Sequence, residues 1–360
     1  MMTLLSSATV LAMTICVAGC STTAEPRGSS HGGASHGESS ESGHGLTTQR
    51  ATPRDPVATG SDIRGRSLVA EPKRPEMALV SPGVLRGELT LRYDSGATNK
   101  LWLYLPDTGG RPMLDRSLPL VLFAPSGTQG LNGAAPSEVD EAEHLPWVRA
   151  GFAVAAFESD GALPITKDGA APSAQDYLKS IHAFRETAGG LMNAVEALDA
   201  ASKVLREADP DRVVLVGSGS GGTVALNVAR AWHKLQWARA VVVFSPILDV
   251  AGATDKLMLD ALDSAQPGVA KFARESSPGL VPEQLKTPAF LFTSREPAVS
   301  VTGEATSDAA SLERYADQLR AAGQSPQLVV MPTGDPYTAM VRDGIDLAIE
   351  WTQRELAKRK

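Results

Sequence analysis

The chain has 360 residues, of which 42% are hydrophobic and 21% charged, with a formal net charge of −7 and a pI near 5.5. That length allows one large domain or two modest ones. The acidic balance, with acids and bases interspersed, argues against nucleic acid as a partner, because such binding needs concentrated positive charge. The two cysteines, Cys16 and Cys20, both lie near the amino terminus, so the body of the chain holds neither a disulfide nor a thiolate metal site.

Leu4 to Ala18 is an apolar run that ends in Val17-Ala18-Gly19-Cys20. It is too short to span a bilayer and has the character of the apolar region of a secretory signal. Its ending resembles the lipobox of bacterial lipoproteins. That resemblance implies cleavage ahead of Cys20, acylation of its thiol, and anchoring to a membrane of the bacterial envelope. One departure from the pattern is that no Lys or Arg precedes the apolar run. Residues 1–19 are therefore expected as a signal peptide and 20–79 as a tether, rich in Gly, Ser, Thr and Pro and too poor in large apolar side chains to fold. His31, His36 and His44 lie in that tether, and a solvated linker is the preferred reading over a metal site.

From about Gly83 the pattern changes, and residues 80–360 are expected to form the folded domain. Leu85–Tyr93 and Lys100–Leu105 alternate apolar and polar residues around Asp94-Ser95-Gly96, the pattern of an antiparallel hairpin. Short continuous apolar runs follow at Leu118–Ala124, Phe152–Phe157, Val213–Val216, Ala240–Phe244, Ala289–Phe292 and Gln327–Met331. Such runs fit strands covered on both faces. Leu191, Val195, Leu198 and Leu205 keep helical spacing, as do Leu312, Tyr315, Leu319 and Ala322; Ile345, Ile349 and Leu356 mark a last helix. The fold class is α/β, with about eight mostly parallel strands between helices.

Asp209-Pro210-Asp211-Arg212 leads into Val213–Val216, then Gly217-Ser218-Gly219-Ser220-Gly221-Gly222 and Thr223–Leu226, a strand, a sharp turn and a helix. This resembles the nucleophile elbow of the α/β-hydrolase superfamily. Pro119–Pro125 with Ser126–Gly130 is similar to the strand and oxyanion loop of that fold. Val329-Val330-Met331-Pro332 and Gly334-Asp335-Pro336-Tyr337 are similar to its last strand and histidine loop. The likeness is greatest to the prolyl-oligopeptidase and dienelactone-hydrolase branches. It implies an oxyanion-type binding site built from Ser126, Gly127 and the backbone N–H of Ser220. It also implies a cap over Val250–Leu285, where Leu257, Leu259 and Leu262 suggest helical packing.

Under this resemblance the chemistry is incomplete. Laid over Val-Gly-His-Ser-x-Gly-Gly without a gap, the motif puts Gly219 at the nucleophile position; a frame shifted by one puts Ser220 there, and the ungapped frame is preferred. The catalytic histidine comes last in this fold, and Pro336 stands at its place. His233 lies thirteen residues beyond Ser220, roughly 20 Å along a continuous helix, out of reach of proton transfer. His144 and His182 precede the elbow. Glu296, beside Pro297, is the carboxylate nearest the acid position, and Asp335 is a further candidate base, a poor one at the ordinary carboxylate pKa. Two functions stay open: a non-catalytic protein that binds a small molecule, glycan, peptide or partner, and a serine hydrolase of the esterase or peptidase type using Ser220. No cofactor is expected, and no His/Asp/Glu cluster has metal-ligand spacing.

Overall fold

The computed structural model describes residues 66–163, 172–232, 237–296 and 308–358, within the larger of two units, Arg54–Lys360. The expected signal peptide, Cys20, His31, His36, His44, His233 and Pro297 lie outside the described residues. β1 (Ala78–Ser81), β2 (Val84–Arg92) and β3 (Thr98–Pro106) pair antiparallel in sequence. The parallel strands are β4 (Leu118–Ala124), β5 (Ala153–Phe157), β6 (Ala208–Ser218), β7 (Ala238–Phe244), β8 (Ala289–Ser294) and β9 (Gln327–Met331). Among the described residues this makes one nine-stranded sheet in the order β1-β2-β3-β5-β4-β6-β7-β8-β9, with β3 antiparallel to β5. The ninth strand beyond the sequence pattern is β1, a four-residue edge strand too short to show a period.

Helices fill the crossovers. α1 (Glu141–Arg149) joins β4 to β5, α2 (Ala174–Glu186) and α3 (Leu191–Val204) join β5 to β6, and α4 (Gly219–Trp232) joins β6 to β7. α5 (Val250–Ala253), α6 (Lys256–Ala265) and α7 (Val269–Glu275) form the segment before β8. α8 (Ala309–Ala321) precedes β9. After β9, α9 (Pro336–Ala339) runs through a π-type turn, Met340–Gly344, into α10 (Ile345–Ala357).

Strand residues alternate between two cores. Leu120, Leu122, Leu215 and Leu291 pack with α3, α4 and α8, whereas Val121, Phe123, Val216 and Phe292 pack with α1 and α10. Burying both faces explains why these strands read as unbroken apolar runs, and each such side chain contributes roughly 2 kcal/mol. In the cap, Leu259 is buried and Leu262 half-buried, whereas Leu257, against the expectation of packing, is 79% exposed.

Residues 66–79 lie against this sheet, although the sequence pattern assigns them to the tether. Arg66 fastens them. Its Nη1 reaches Asp160 Oδ2 at 2.5 Å, its Nη2 reaches Glu196 Oε2 at 2.8 Å and Asn99 Oδ1 at 2.9 Å, and its own backbone N–H donates to Glu196 Oε1 at 2.8 Å. The guanidinium lies 3.9 Å from the centre of the Tyr93 ring, and the Tyr93 hydroxyl donates to Glu196 Oε2 at 2.8 Å. Burial opposes the Arg66 charge, but the Glu196 hydrogen bond and the Glu196 and Asp160 carboxylates outweigh it and hold the group above its ordinary pKa.

Candidate functional site

The carboxyl ends of the parallel strands meet at the junction of β6 and α4. Ser218 is the last strand residue, and Gly219 turns the chain with φ +49°, a left-handed conformation that costs other residues roughly 1–2 kcal/mol. The turn is tight. A Cβ on Gly217 would sit 2.3 Å from the Gly221 carbonyl oxygen, and one on Gly221 would sit 2.5 Å from that of Ala124. The residue lifted at the corner is therefore Gly219, and Ser220 lies one position into the helix.

Ser220 is 3% exposed, and its Oγ accepts the backbone N–H of Thr128 at 3.2 Å. Thr128 in turn braces its own loop, donating from Oγ1 to the Asn132 carbonyl and accepting the Gly130 N–H. The cavity beside Ser220 has room for about one water molecule; its walls include Ser159 and Asn227, whose Oγ and Oδ1 are buried without a partner among the described residues. Ser126 is half-buried and Gly127 exposed, and the loop amide bonded to Ser220 is that of Thr128.

On the other side of the corner, Ser218 Oγ donates to Glu143 Oε2 at 3.0 Å. Glu143 lies on α1 and is 2% exposed. Asp140, just ahead of α1, is pushed upward by burial, and Tyr337 on α9 is pushed up to about 12 by burial and by the Glu143 and Asp140 carboxylates. Tyr337 therefore keeps its proton at neutral pH and is half exposed.

The remaining sequence candidates are placed elsewhere or fixed in other tasks. His144 is 2% exposed between Phe123 and Tyr104, at ring-centroid distances of 4.5 Å and 5.4 Å, and burial lowers it to about 3. His182 is exposed on α2, 4.0 Å from Glu186, and so does not line the site. Glu296 is exposed after β8. Asp335 caps α9, accepting the N–H groups of Tyr337 and Thr338 at 3.1 Å; the Thr338 bonds, with a smaller part from Tyr337, hold its carboxyl below the ordinary range, the opposite of what a base needs. Pro336 is buried at the first position of α9. Among the described residues no group of His, Cys, Asp and Glu is arranged to hold a metal ion.

A family model for the alpha/beta hydrolase fold matches residues 176–335, which carry both the elbow and the last loop. The chain has an α/β-hydrolase fold. Its solved neighbours include the acetyl xylan esterase from Paenibacillus sp. R4, at 14% identity and a TM-score of 0.54 over 79% of this chain and 89% of that one. A puromycin hydrolase matches at 15% identity and 0.55 over 79% of this chain and 40% of its own, and the Pyrococcus horikoshii acylaminoacyl peptidase at 14% and 0.52 over 79% and 42%. The chain thus spans less than half the length of these two proteins. Identities this low show the fold alone, and no curated protein matches the sequence.

The resemblance would place the nucleophile at Gly219 in the preferred frame, the acid in the loop after β8 and the histidine in the loop after β9. Gly219 has no side chain, and Pro336, at the position expected for the histidine, opens α9 just after that last loop. The Ser294 hydroxyl donates to the Gly334 carbonyl, which ties the two loops together without a titratable group. The contact between Ser218 and Glu143 is one that the sequence motifs do not reveal. Their positions lie 75 residues apart, and only the sheet brings them together.

Proposed function

We propose that this is an envelope-anchored α/β-hydrolase-fold protein that binds a ligand carrying a carbonyl or carboxylate group, such as a small molecule, glycan or peptide, without Ser–His–acid turnover. The observation that carries this reading is the left-handed corner at Gly219, where the nucleophile would stand. A site stripped of its triad retains about 10³–10⁴ over water from binding and backbone donors, short of the roughly 10⁶ at which enzymes begin. The test is steady-state cleavage of p-nitrophenyl butyrate. The expected result is a rate no more than about 10⁴ above the uncatalysed one; turnover at about 1 s⁻¹ or faster that disappears in Ser220→Ala would overturn it.

The second reading, a serine hydrolase using Ser220, is favoured by the company the fold keeps, since the neighbours named above are an esterase, a hydrolase and a peptidase. The same kinetic measurement decides between the two.

For location, the motif ending in Cys20 supports a lipid anchor. No helix among the described residues is long and apolar enough to cross a membrane. Growth with an alkyne fatty acid is expected to label the protein and to leave Cys20→Ser unlabelled; an equally labelled variant would sink the anchor.

A further inference from the structure

We propose that Arg66 is a positioning residue for the loop between β4 and α1, which carries the Thr128 amide, and that it acts through Asp160. The proposal rests on the reading of this loop as part of a binding site. It adds a residue from the strap of residues 66–79, which the sequence pattern assigns to the tether. Among the described residues, Arg66 is the only cation paired with Asp160 or with Glu196, at 2.5 Å and 2.8 Å. Asp160 follows β5 and Glu196 lies on α3, so two carboxylates of the sheet-and-helix framework are balanced by a charge that the strap brings in.

A continuous run of contacts leads from Asp160 to the elbow. The Asp160 N–H donates to Asn193 Oδ1 at 3.2 Å, and Asp160 Oδ1 accepts from Asn99 Nδ2 at 2.6 Å and from Asn193 Nδ2 at 3.2 Å. Side chain and backbone of Asp160 are thus held as one piece. That backbone is the floor under the loop. A Cβ on Gly133 would sit 2.1 Å from the Asp160 carbonyl oxygen and 2.6 Å from that of Ser159. Beside it, the Ser159 N–H donates to the Ala134 carbonyl at 2.9 Å. Asn132, 4% exposed, donates from Nδ2 to the Gly133 carbonyl at 3.0 Å, and its own carbonyl accepts from Thr128 Oγ1 at 3.1 Å. The Thr128 N–H then reaches Ser220 Oγ at 3.2 Å. With glycine at 133, backbone lies on backbone, and no side chain stands between them to absorb a shift.

Without the guanidinium, Asp160 and Glu196 repel each other across a space largely closed to water. The Asp160 carboxylate, 15% exposed, then gains by turning outward. Turning breaks its bonds to Asn99 and Asn193 and lifts residues 159–160 away from Gly133 and Ala134. The loop loosens, and the Thr128 amide loses its fixed place at the elbow.

Hydrogen–deuterium exchange of the purified full-length protein tests this, read at Thr128 and its loop by mass spectrometry with fragmentation. In Arg66→Ala the Thr128 amide is expected to exchange at least about tenfold faster than in the unaltered protein. Arg74→Ala is the control, because it removes a two-pronged ion pair with Glu207 from the same strap without touching Asp160. There the Thr128 rate is expected to stay within about twofold. Asp160→Ala is expected to loosen the loop as Arg66→Ala does, and the double variant no further, since both act through one contact. Arg66→Lys, which keeps the charge but not the fork, is expected to fall between the unaltered protein and Arg66→Ala, and it carries the comparison if the alanine variant fails to fold. An unchanged Thr128 rate in the Arg66 variant that folds, an equal rise in Arg74→Ala, or a double variant whose effects multiply overturns the proposal. Exchange involves no ligand, so its failure leaves the binding reading standing. Rapid ester turnover lost in Ser220→Ala removes that reading without touching the exchange result.

Discussion

Replacing Arg66 with alanine is expected to lower the unfolding free energy by about 3 kcal/mol. The side chains of Arg66 and Glu196 are only 17% and 6% exposed, so the loss is that of a mostly buried pair and not of a screened surface contact. Without the guanidinium, Glu196 and Asp160 remain facing each other's charge with Asn99, Asn193 and Tyr93 as neutral donors. Lysine is expected to recover only part of the loss, since it supplies charge but not the planar fork that spans both carboxylates and stacks on Tyr93. Urea unfolding of the three proteins at neutral pH measures this. A loss under about 0.5 kcal/mol for Arg66→Ala would show that water screens the network.

Stability is also expected to fall on mild acidification, by about 2 kcal/mol between pH 7.5 and pH 5, through His144. Burial lowers its folded value to about 3 from an ordinary 6.5, so the unfolded chain binds the proton first. The contribution is fully present above about pH 6.5 and drains as the pH falls toward 3. At pH 5 the gap from the unfolded value is about 1.5 units, and each unit is worth about 1.4 kcal/mol. His144→Leu removes the titrating group from its pocket beside Phe123 and Tyr104. The slope between pH 7.5 and 5 should flatten by that amount in the variant, measured by urea unfolding at each pH. An unchanged slope would mean that other groups carry it.

The sheet was legible in the sequence because its strands are covered on both sides, so runs such as Val213–Val216 and Ala289–Phe292 could be read without knowing their partners. The elbow was legible for a related reason. Close approach of Gly217 and Gly221 to neighbouring carbonyls demands glycine, and glycine leaves a visible spacing. Where local pattern carried little, the reading fell short. α2 buries Ser180, Ile181 and Phe184, too sparse an apolar stripe to stand out from a loop. Arg66 looked like one more polar residue of a linker, because its counter-ions lie 94 and 130 positions away. The Ser218–Glu143 contact is hidden for the same reason, as no local period links a strand end to a helix from another crossover. Leu257 was grouped with Leu259 and Leu262 by proximity alone, and a helix sends it to the opposite side.

The left-handed corner between β6 and α4 also bears on how tightly the scaffold is wound at this point. A serine held at φ +49° would keep the backbone strained by about 1–2 kcal/mol, a stress that active enzymes tolerate for the sake of catalysis. Glycine adopts that angle freely. Glycine at this corner therefore leaves the scaffold relaxed, and Gly219→Ser would bring that tension back into the turn.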